Sequence, residues 1–341
     1  MNHKFFISLL TLLTLASCVK DKPSPSPTPN PLGPAKKVYV VNEGNFGSAN
    51  AGITLFDTGT GNGIEDQYKN KNGVALGDVA QSMCKINGDF YIVVNNSNKV
   101  VVCDTNLKLK RTISGLTSPR YIVAVSPTKG YVSDLYANGL SIVDLANGTK
   151  TGSITLPGTT EQMVFYNGKM YVTNSAKDKL YVINTSSNIL EDSIVVGINA
   201  SKLVLDKNNK LWVLSSGTSS VQGRLSLINP ATNAVTWSQN FALIAKAGML
   251  CINGTKDTLW FANKDGVCRM PIVSTSLPNA FISSTSNIYG LGVHPTRYEV
   301  YVADAMDYNS KSKIFAYRSS NGIIFGTFYA GYISNGFYFE P

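Results

Sequence analysis

Histidine-dependent chemistry is nearly excluded by the composition. Among 341 residues there are two histidines, His3 and His294. His-based zinc sites, Ser-His-Asp triads and Cys-His dyads all use imidazole groups. Residues 293–296 (Val-His-Pro-Thr) align with residues 125–128 (Val-Ser-Pro-Thr), so His294 is predicted to lie in a turn, on the face opposite the candidate residues described below.

Other catalytic signatures are also missing from the sequence. No paired carboxylates recur at a fixed spacing, and the glycine-rich residues 43–47 lack the G-x-G-x-x-G spacing of a dinucleotide site. A calcium site built from Asp and Asn oxygens stays open, although no EF-hand-like string occurs. We therefore expect no catalytic residues, no cofactor and no resident metal ion.

Polar residues recur at one position of a repeat, where a strand with a central aromatic residue ends. They are called the strand-end ring here and are Asn42, Asn95, Asp134, Asn174, Ser215, Asn263 and Asp304. Asn and Asp side chains bond their own backbone and start turns, which alone explains most of these positions. The functional interpretation is a neutral polar rim that binds a ligand, and both interpretations stay open.

The loops supply charge and aromatic surface. The segments that lead into the first strand of each repeat, called lead-in loops here, include residues 120–121 (Arg-Tyr), 161–162 (Glu-Gln) and 201–202 (Ser-Lys). Long loops in some repeats tend to mark a binding face, and exposed aromatic rings there can stack on a flat ligand or pack between repeats. The loop candidates for ligand binding are Glu43, Asn45, Phe46, Arg120, Tyr136, Gln162, Tyr289, Tyr308 and Asn335.

The elements that must position these residues repeat seven times. The central aromatic residues occur at positions 39, 91, 131, 171, 212, 260 and 301. A period near 40 residues with several strands per unit is typical of a β-propeller. The sequence therefore predicts an all-β, seven-bladed propeller with four-stranded antiparallel blades over residues 37–341. Residues 332–339 resemble a first strand with no second strand after it, so this C-terminal strand is predicted to pair with the N-terminal strands and close the ring.

The N-terminus is predicted to be a targeting signal followed by a spacer. Residues 1–17 combine a basic start with a short apolar core, as in a lipoprotein signal peptide, and Cys18 follows Leu-Ala-Ser as the expected lipid attachment site. Residues 18–36 form a Pro-rich linker, which is expected to be stiff and extended. The predicted location is the outer membrane, at the cell surface or facing the periplasm, with membrane contact only through lipidated Cys18.

Neither the remaining cysteines nor the net charge of +9 indicates a functional site. Cys84 and Cys103 fall on first and third strands of one repeat, as do Cys251 and Cys268 of another. Those strands are separated by a second strand, which puts the cysteines too far apart for a disulfide, so buried free thiols are expected. The lysines are scattered rather than clustered, so no nucleic-acid partner is expected.

Several segments carry a family resemblance. Residues 171–174 read Tyr-Val-Thr-Asn, and the chain resembles the YVTN/YncE-like propellers with surface-layer-type repeats. Residues 40–48, 53–57 and 333–338 look like the opening and ending of Bacteroidetes lipoprotein propellers, a group that includes a cobalamin-capturing surface lipoprotein. The resemblance implies capture of a cobalamin-like or other nutrient for a TonB-dependent outer-membrane transporter. The alternatives are a metal-dependent lactonase- or lyase-type propeller enzyme and a scaffold that binds protein or polymer.

Overall fold

The computed structural model describes residues 37–340, except residues 59, 246 and 285. The predicted signal peptide, Cys18 and the Pro-rich linker lie outside the described residues. Within the described part, no helix is both long and apolar enough to cross a membrane.

The described residues form seven four-stranded antiparallel sheets, which confirms the predicted fold class. In chain order, the strands of blades 1 to 3 are β1 (Val38–Asn42), β2 (Gly52–Asp57) and β3 (Asn62–Ile64); β4 (Ala80–Ile86), β5 (Asp89–Val94), β6 (Lys99–Cys103) and β7 (Leu109–Ile113); and β8 (Pro119–Ala124), β9 (Lys129–Asp134), β10 (Gly139–Asp144) and β11 (Thr149–Thr155). Those of blades 4 and 5 are β12 (Met163–Tyr166), β13 (Lys169–Thr173), β14 (Lys179–Asn184) and β15 (Ile189–Val195); and β16 (Ala200–Leu205), β17 (Leu211–Ser215), β18 (Arg224–Asn229) and β19 (Ala234–Asn240). Those of blades 6 and 7 are β20 (Gly248–Ile252), β21 (Thr258–Asn263), β22 (Gly266–Pro271) and β23 (Ala280–Ser283); and β24 (Ile288–Val293), β25 (Glu299–Asp304), β26 (Lys311–Arg318) and β27 (Ile324–Tyr332). A short helix α1 (Gln67–Asn72) connects blades 1 and 2, and a 3₁₀ turn (Asn95–Ser97) follows β5.

The ring closes as the sequence predicts. The last strand, β28 (Ser334–Phe339), pairs antiparallel with β1 and becomes the first strand of blade 1. The Ser334 hydroxyl donates to Asn42 Oδ1 at 2.7 Å, which joins the start of β28 to the end of β1. This pairing gives β1 a hydrogen-bonded neighbour on both sides and completes blade 1.

Local turn chemistry explains why these segments form hairpins. Asn87 and Gly88, between β4 and β5, both have positive φ values, of 51° and 88°. Asn167 and Gly168 repeat the arrangement between β12 and β13, with φ values of 47° and 74°. Two successive residues with positive φ match the twist of a tight antiparallel hairpin, and the Asn-Gly sequence tolerates that backbone.

The repeated aromatic residues tie neighbouring blades together. All seven side chains at this position are at most 2% exposed. Tyr171 of blade 4 donates its hydroxyl to the carbonyl of Pro230, which follows the third strand of blade 5, at 3.1 Å. Tyr91 makes the corresponding bond to the carbonyl of Leu145 in the next blade, at 3.4 Å. The hydrophobic core therefore lies between blades, where the aromatic rings fill space and the hydroxyls of Tyr91 and Tyr171 find carbonyl acceptors.

The four described cysteines are free, as predicted, and lie on the expected strands. Cys103 and Cys268 are buried, and Cys84 and Cys251 are partly buried. Burial raises the pKa of Cys84, Cys103 and Cys251 to about 12 and that of Cys268 to about 11. These thiols behave as small apolar groups.

Candidate functional site

A cavity of about 540 Å³ lies on the axis of the propeller. The first strand of each blade packs against the first strands of the two neighbouring blades, so seven first strands surround this space. Residues from all seven of these strands or their lead-in loops line it, and we call it the channel cavity. Glu43 and Ser175, which follow second strands, also line it. The channel cavity therefore lies toward the face that carries the lead-in loops.

Irregularities in the sheets aim side chains into the channel cavity. The register between first and second strands shifts near the start of β4, β8, β16, β20 and β24. The residues skipped by these shifts include Gln81, Arg120, Ser201 and Tyr289, and all of them line the channel cavity. A bulge inserts an extra residue and redirects its side chain. Repetition of this device around the ring explains why the lead-in residues converge on the axis.

An ion pair in a polar chain forms one side of the channel cavity. Arg120 Nε donates to Glu161 Oε2 at 2.9 Å, and its Nη1 donates to Gln81 Oε1. The Glu161 side chain is 7% exposed and that of Arg120 is 21% exposed. Three blades supply these three residues, so the pair also fixes the relative positions of blades 2, 3 and 4.

A second carboxylate is held by neutral donors. The Tyr289 hydroxyl donates to Glu43 Oε2 at 3.0 Å, and Asn335 Nδ2 donates to Glu43 Oε1 at 2.8 Å. Burial raises the pKa of Glu43, although these two hydrogen bonds and the charges of Arg120 and Lys202 oppose the increase. The same burial, together with the charge of Glu43, raises the pKa of Tyr289, so its hydroxyl stays protonated and donates.

A lysine faces the channel cavity with an aromatic partner. Lys202 Nζ donates to the Tyr121 hydroxyl at 3.1 Å and lies 5.7 Å from the centre of the same ring. Burial alone would lower the pKa of Lys202, but Tyr121 and Glu161 outweigh it, so the pKa lies above its ordinary value. The ammonium group is therefore charged at neutral pH.

Five of the predicted ligand-binding residues come together in the channel cavity: Glu43, Arg120, Gln162, Tyr289 and Asn335. Of these, Gln162 uses its side-chain oxygen to accept the backbone N–H of Leu203 at 2.8 Å. The Asn335 amide also donates to the backbone carbonyls of Ala80 and Gln81. Both side chains therefore join blades as well as lining the channel cavity.

The strand-end ring does not form a polar rim around the channel cavity. Asn42, Asn95, Asp134 and Asn174 are buried and use their side chains within the lead-in and strand-connecting loops. Asn95 Nδ2 donates to Ser118 Oγ at 2.9 Å, and Asn174 Nδ2 donates to the carbonyl of Pro157 at 2.7 Å. Asn42 Nδ2 donates to Thr54 Oγ1 at 3.0 Å. The geometry favours the local interpretation for these four positions because their polar atoms already have backbone and side-chain partners.

The last two ring positions also serve their own turns. Asn263 accepts the backbone N–H of Asp265 at 2.9 Å and donates to Cys268 Sγ at 3.3 Å. Asp304 is buried and accepts the backbone N–H of Met306 at 2.8 Å. Neither residue lines the channel cavity.

The aromatic loop candidates separate into two groups. Tyr308 is 44% exposed and meets Tyr289 edge to face, with ring centres 5.8 Å apart, so it lies beside a cavity-lining residue. Asn45 Nδ2 donates to the carbonyl of Tyr308 at 2.8 Å, which ties the long loop of blade 1 to blade 7. Phe46 and Tyr136 are 79% and 70% exposed. They project from loops on the same face without lining the channel cavity.

Several polar cavity residues were absent from the sequence-based candidates, and those with large side chains are Gln81, Tyr121, Glu161 and Lys202. The last three occupy lead-in loops that the repeat alignment identified, next to or in register with selected residues. In the sequence, only their shared repeat position could have identified them. The structure adds that, at a bulge, two adjacent residues of a lead-in loop can both reach the axis. Among the described residues, no group of three or more His, Cys, Asp or Glu side chains could hold a metal ion.

Seven closed blades around a charged axial cavity define this protein as a seven-bladed β-propeller. The chain belongs to the family described as domain of unknown function DUF5074, whose model matches residues 36–339. No sequence among the curated proteins matches it.

Solved structures show the same fold at low identity. A quinonprotein alcohol dehydrogenase-like protein of Bacteroides thetaiotaomicron VPI-5482 has a TM-score of 0.72 and 18% identity, over 89% of this chain and 78% of that chain. A protein of Bacteroides fragilis NCTC 9343, provisionally assigned as a 6-phosphogluconolactonase, has a TM-score of 0.69 and 12% identity, over 90% and 98%. A functionally unknown protein of Desulfotomaculum acetoxidans DSM 771 has a TM-score of 0.70 and 11% identity, over 89% and 98%. These similarities establish the fold alone.

Proposed function

We propose that this propeller is a non-enzymatic binding protein that takes a small polar molecule into the channel cavity. The observation that carries the proposal is the convergence of Glu43, Arg120, Glu161 and Lys202 on one axial space. Charged side chains are rarely buried unless they are paired or functional. The Arg120–Glu161 pair also joins blades, but the apolar contacts between blades do not require Glu43 and Lys202 at the axis.

The size of the channel cavity supports a small-molecule ligand. Its volume of about 540 Å³ lies within the range of roughly 300–1,000 Å³ that is typical of ligand sites. The lining mixes the charged cluster with apolar side chains such as Met83, Leu250 and Phe337. A larger molecule such as a cobalamin would insert only one part and rest the remainder on the loops of the same face. The exposed rings of Phe46, Tyr136 and Tyr308 offer stacking surface there.

The cellular role that we propose is capture of a nutrient for a TonB-dependent outer-membrane transporter. The sequence resemblance to Bacteroidetes lipoprotein propellers supports this role, as does the signal and Cys18 pattern of the N-terminus. In that arrangement, lipidated Cys18 anchors the protein to the outer membrane, and the Pro-rich linker carries the propeller away from it. Copurification of the transporter with the full chain from native membranes would test the partnership.

Titration calorimetry with the full chain tests ligand binding. The probes are cobalamins, haem, oligosaccharides, amino acids, nucleotides and divalent metal ions. Ser201 lines the channel cavity, and Ser201→Trp should fill part of it and abolish binding. Ser187 lies in an exposed turn between β14 and β15, so Ser187→Trp is the matched control and should bind normally.

Two results would contradict the proposal. Normal binding by a folded Ser201→Trp variant would move the site elsewhere, and an absence of binding across the whole panel would argue against a small-molecule binder. Steady chemical conversion of any probe would favour an enzyme instead. Replacing Asn45 and Phe46 by alanine tests the outer part of the face, where a large ligand should lose affinity and a small one should not.

A further inference from the structure

The charged side chains in the channel cavity differ in how many of their polar atoms have a partner. Arg120 is paired with Glu161, and each oxygen of Glu43 accepts a hydrogen bond, from Asn335 or from Tyr289. Lys202 differs from these groups. Within the described part of the chain it forms no ion pair at 4.0 Å or less, and its ammonium group donates to the Tyr121 hydroxyl.

The ammonium group of Lys202 has unused donor capacity. A lysine ammonium carries three N–H donors, and Tyr121 accepts one of them. The lysine is partly buried and lines the channel cavity, so the remaining donors face a confined space. A charge removed from bulk water is costly unless a partner compensates it. An anionic partner would supply that compensation.

The groups around Lys202 carry charges of both signs, and among them Glu161 acts on its pKa more strongly than Arg120 does. Arg120 lies close enough to Lys202 for their charges to interact, and so does Glu161. Because Glu161 is already engaged by the Arg120 guanidinium, the net charge of these three groups is positive. Glu43 carries the opposing charge of the cluster, and its two oxygens are occupied by Tyr289 and Asn335. The channel cavity thus has a cationic point at Lys202 and a carboxylate held by neutral donors.

We propose that the ligand of the channel cavity carries an anionic oxygen group, a carboxylate or a phosphate, that binds to the ammonium group of Lys202 beside Arg120. This inference rests on the proposed binding function and specifies the ligand class. Both groups present several acceptor oxygens, and charge-assisted hydrogen bonds to them are the strong ones. The fixed position of Lys202 against the Tyr121 ring would also orient the ligand, with its anionic end toward blades 3 and 5.

The test compares charged and neutral probes on the full chain. Inorganic phosphate and glycerol phosphate form one arm, malonate and citrate form a second, and the neutral malonamide and glycerol form the reference. Calorimetric or NMR titration should show binding of at least one anion, with its neutral counterpart at least about ten-fold weaker. The arm that binds more tightly identifies phosphate or carboxylate as the group.

Variants of Lys202 assign the interaction to this residue. Lys202→Met keeps the length of the side chain and should weaken anion binding by roughly ten- to a hundred-fold, while Lys202→Arg should restore most of the affinity. Lys210, in the turn between β16 and β17 on the opposite face, bonds Asn229 and provides the matched control, Lys210→Met, which should bind as the parent does.

Each outcome decides the inference. Equal affinity for anions and neutral counterparts, or unchanged anion binding by folded Lys202→Met, would overturn it and leave the proposed function standing. If Lys202→Met fails to fold, the comparison of charged with neutral probes on the parent chain still decides. No binding in the channel cavity by any probe, with Ser201→Trp and parent indistinguishable, would overturn the proposed function together with this inference.

Discussion

Replacing Asp134 by alanine should cost much more stability than the same change at another position of the strand-end ring. Its carboxylate accepts four backbone N–H groups. Oδ2 accepts those of Thr117 at 3.2 Å and Ser118 at 2.8 Å, and Oδ1 accepts those of Tyr136 at 2.9 Å and Ala137 at 2.8 Å. The residue is fully buried. One side chain therefore organises both the lead-in loop of blade 3 and the turn after β9.

Asp304 provides the matched comparison. It ends the second strand of blade 7, is also buried, and accepts the backbone N–H of Met306 at 2.8 Å. Asp134 thus holds three further backbone hydrogen bonds, and at about 1 kcal/mol each the two alanine variants should differ by about 3 kcal/mol. For a protein of this size, that difference corresponds to a melting temperature about 5 °C lower for Asp134→Ala.

Urea unfolding followed by circular dichroism measures the difference, with the slope compared between variants to verify that the same surface unfolds. Ligand titration of the folded variants is the second assay, and both should bind as the parent does because neither residue lines the channel cavity. Equal unfolding midpoints for the two variants would refute the hydrogen-bond reasoning. A stable Asp134→Ala variant that loses ligand would restore the functional interpretation of the ring.

Three further predictions follow from the core. Tyr171→Phe removes the hydroxyl that reaches the carbonyl of Pro230 and should lower the free energy of unfolding by about 1 kcal/mol, measured by urea titration, whereas a neutral effect would show that the bond between blades is replaced by solvent. Burial, with a smaller effect of Arg297, lowers the pKa of His294 to about 4. Because the unfolded chain takes up this proton near pH 6.5, stability should be complete above that pH and fall by up to about 3 kcal/mol as the pH drops to 4, and His294→Gln should flatten this part of the stability profile. The four described cysteines should resist a thiol reagent at pH 8 in the native protein and react in urea, since burial raises their pKa values; rapid native reaction would contradict their burial.

The fold was predictable because its information is local and repeated. The aromatic residue and the polar strand end recur in each blade, and Asn-Gly or another short polar turn joins the first two strands in blades 2 to 7. Each of these features has a conformational preference that acts within a few residues. Closure was also predictable, since a first strand without a second at residues 332–339 matches a second strand without a first at residues 38–42. The short helix α1 lies between blades and breaks the repeat, so the periodicity gave no indication of it.

The site was only partly predictable. Repeat position identified Glu43, Arg120, Gln162, Tyr289 and Asn335 as residues of one face, and they do share the channel cavity. The residues of the strand-end ring also recur at one position of the repeat, yet their side chains turn away from the channel cavity and bind backbone groups. Sequence pattern cannot separate these cases, because both sets are polar residues next to strand ends.

The sequence by itself determined seven four-stranded blades, the closing strand and the face that carries the lead-in loops, since short-range turn and strand preferences accumulate over the repeats. Only the tertiary structure decided which side chains meet. Lys202, Tyr121 and Glu161 come from lead-in segments about 40 residues apart. They converge because each lies in or beside an irregular pairing at the start of a first strand: register shifts in β8 and β16, and the two backbone bonds of Thr173 to Glu161 and Gln162. The charge left without an ionic partner at Lys202 is likewise a property of that convergence, because pairing depends on distances across blades.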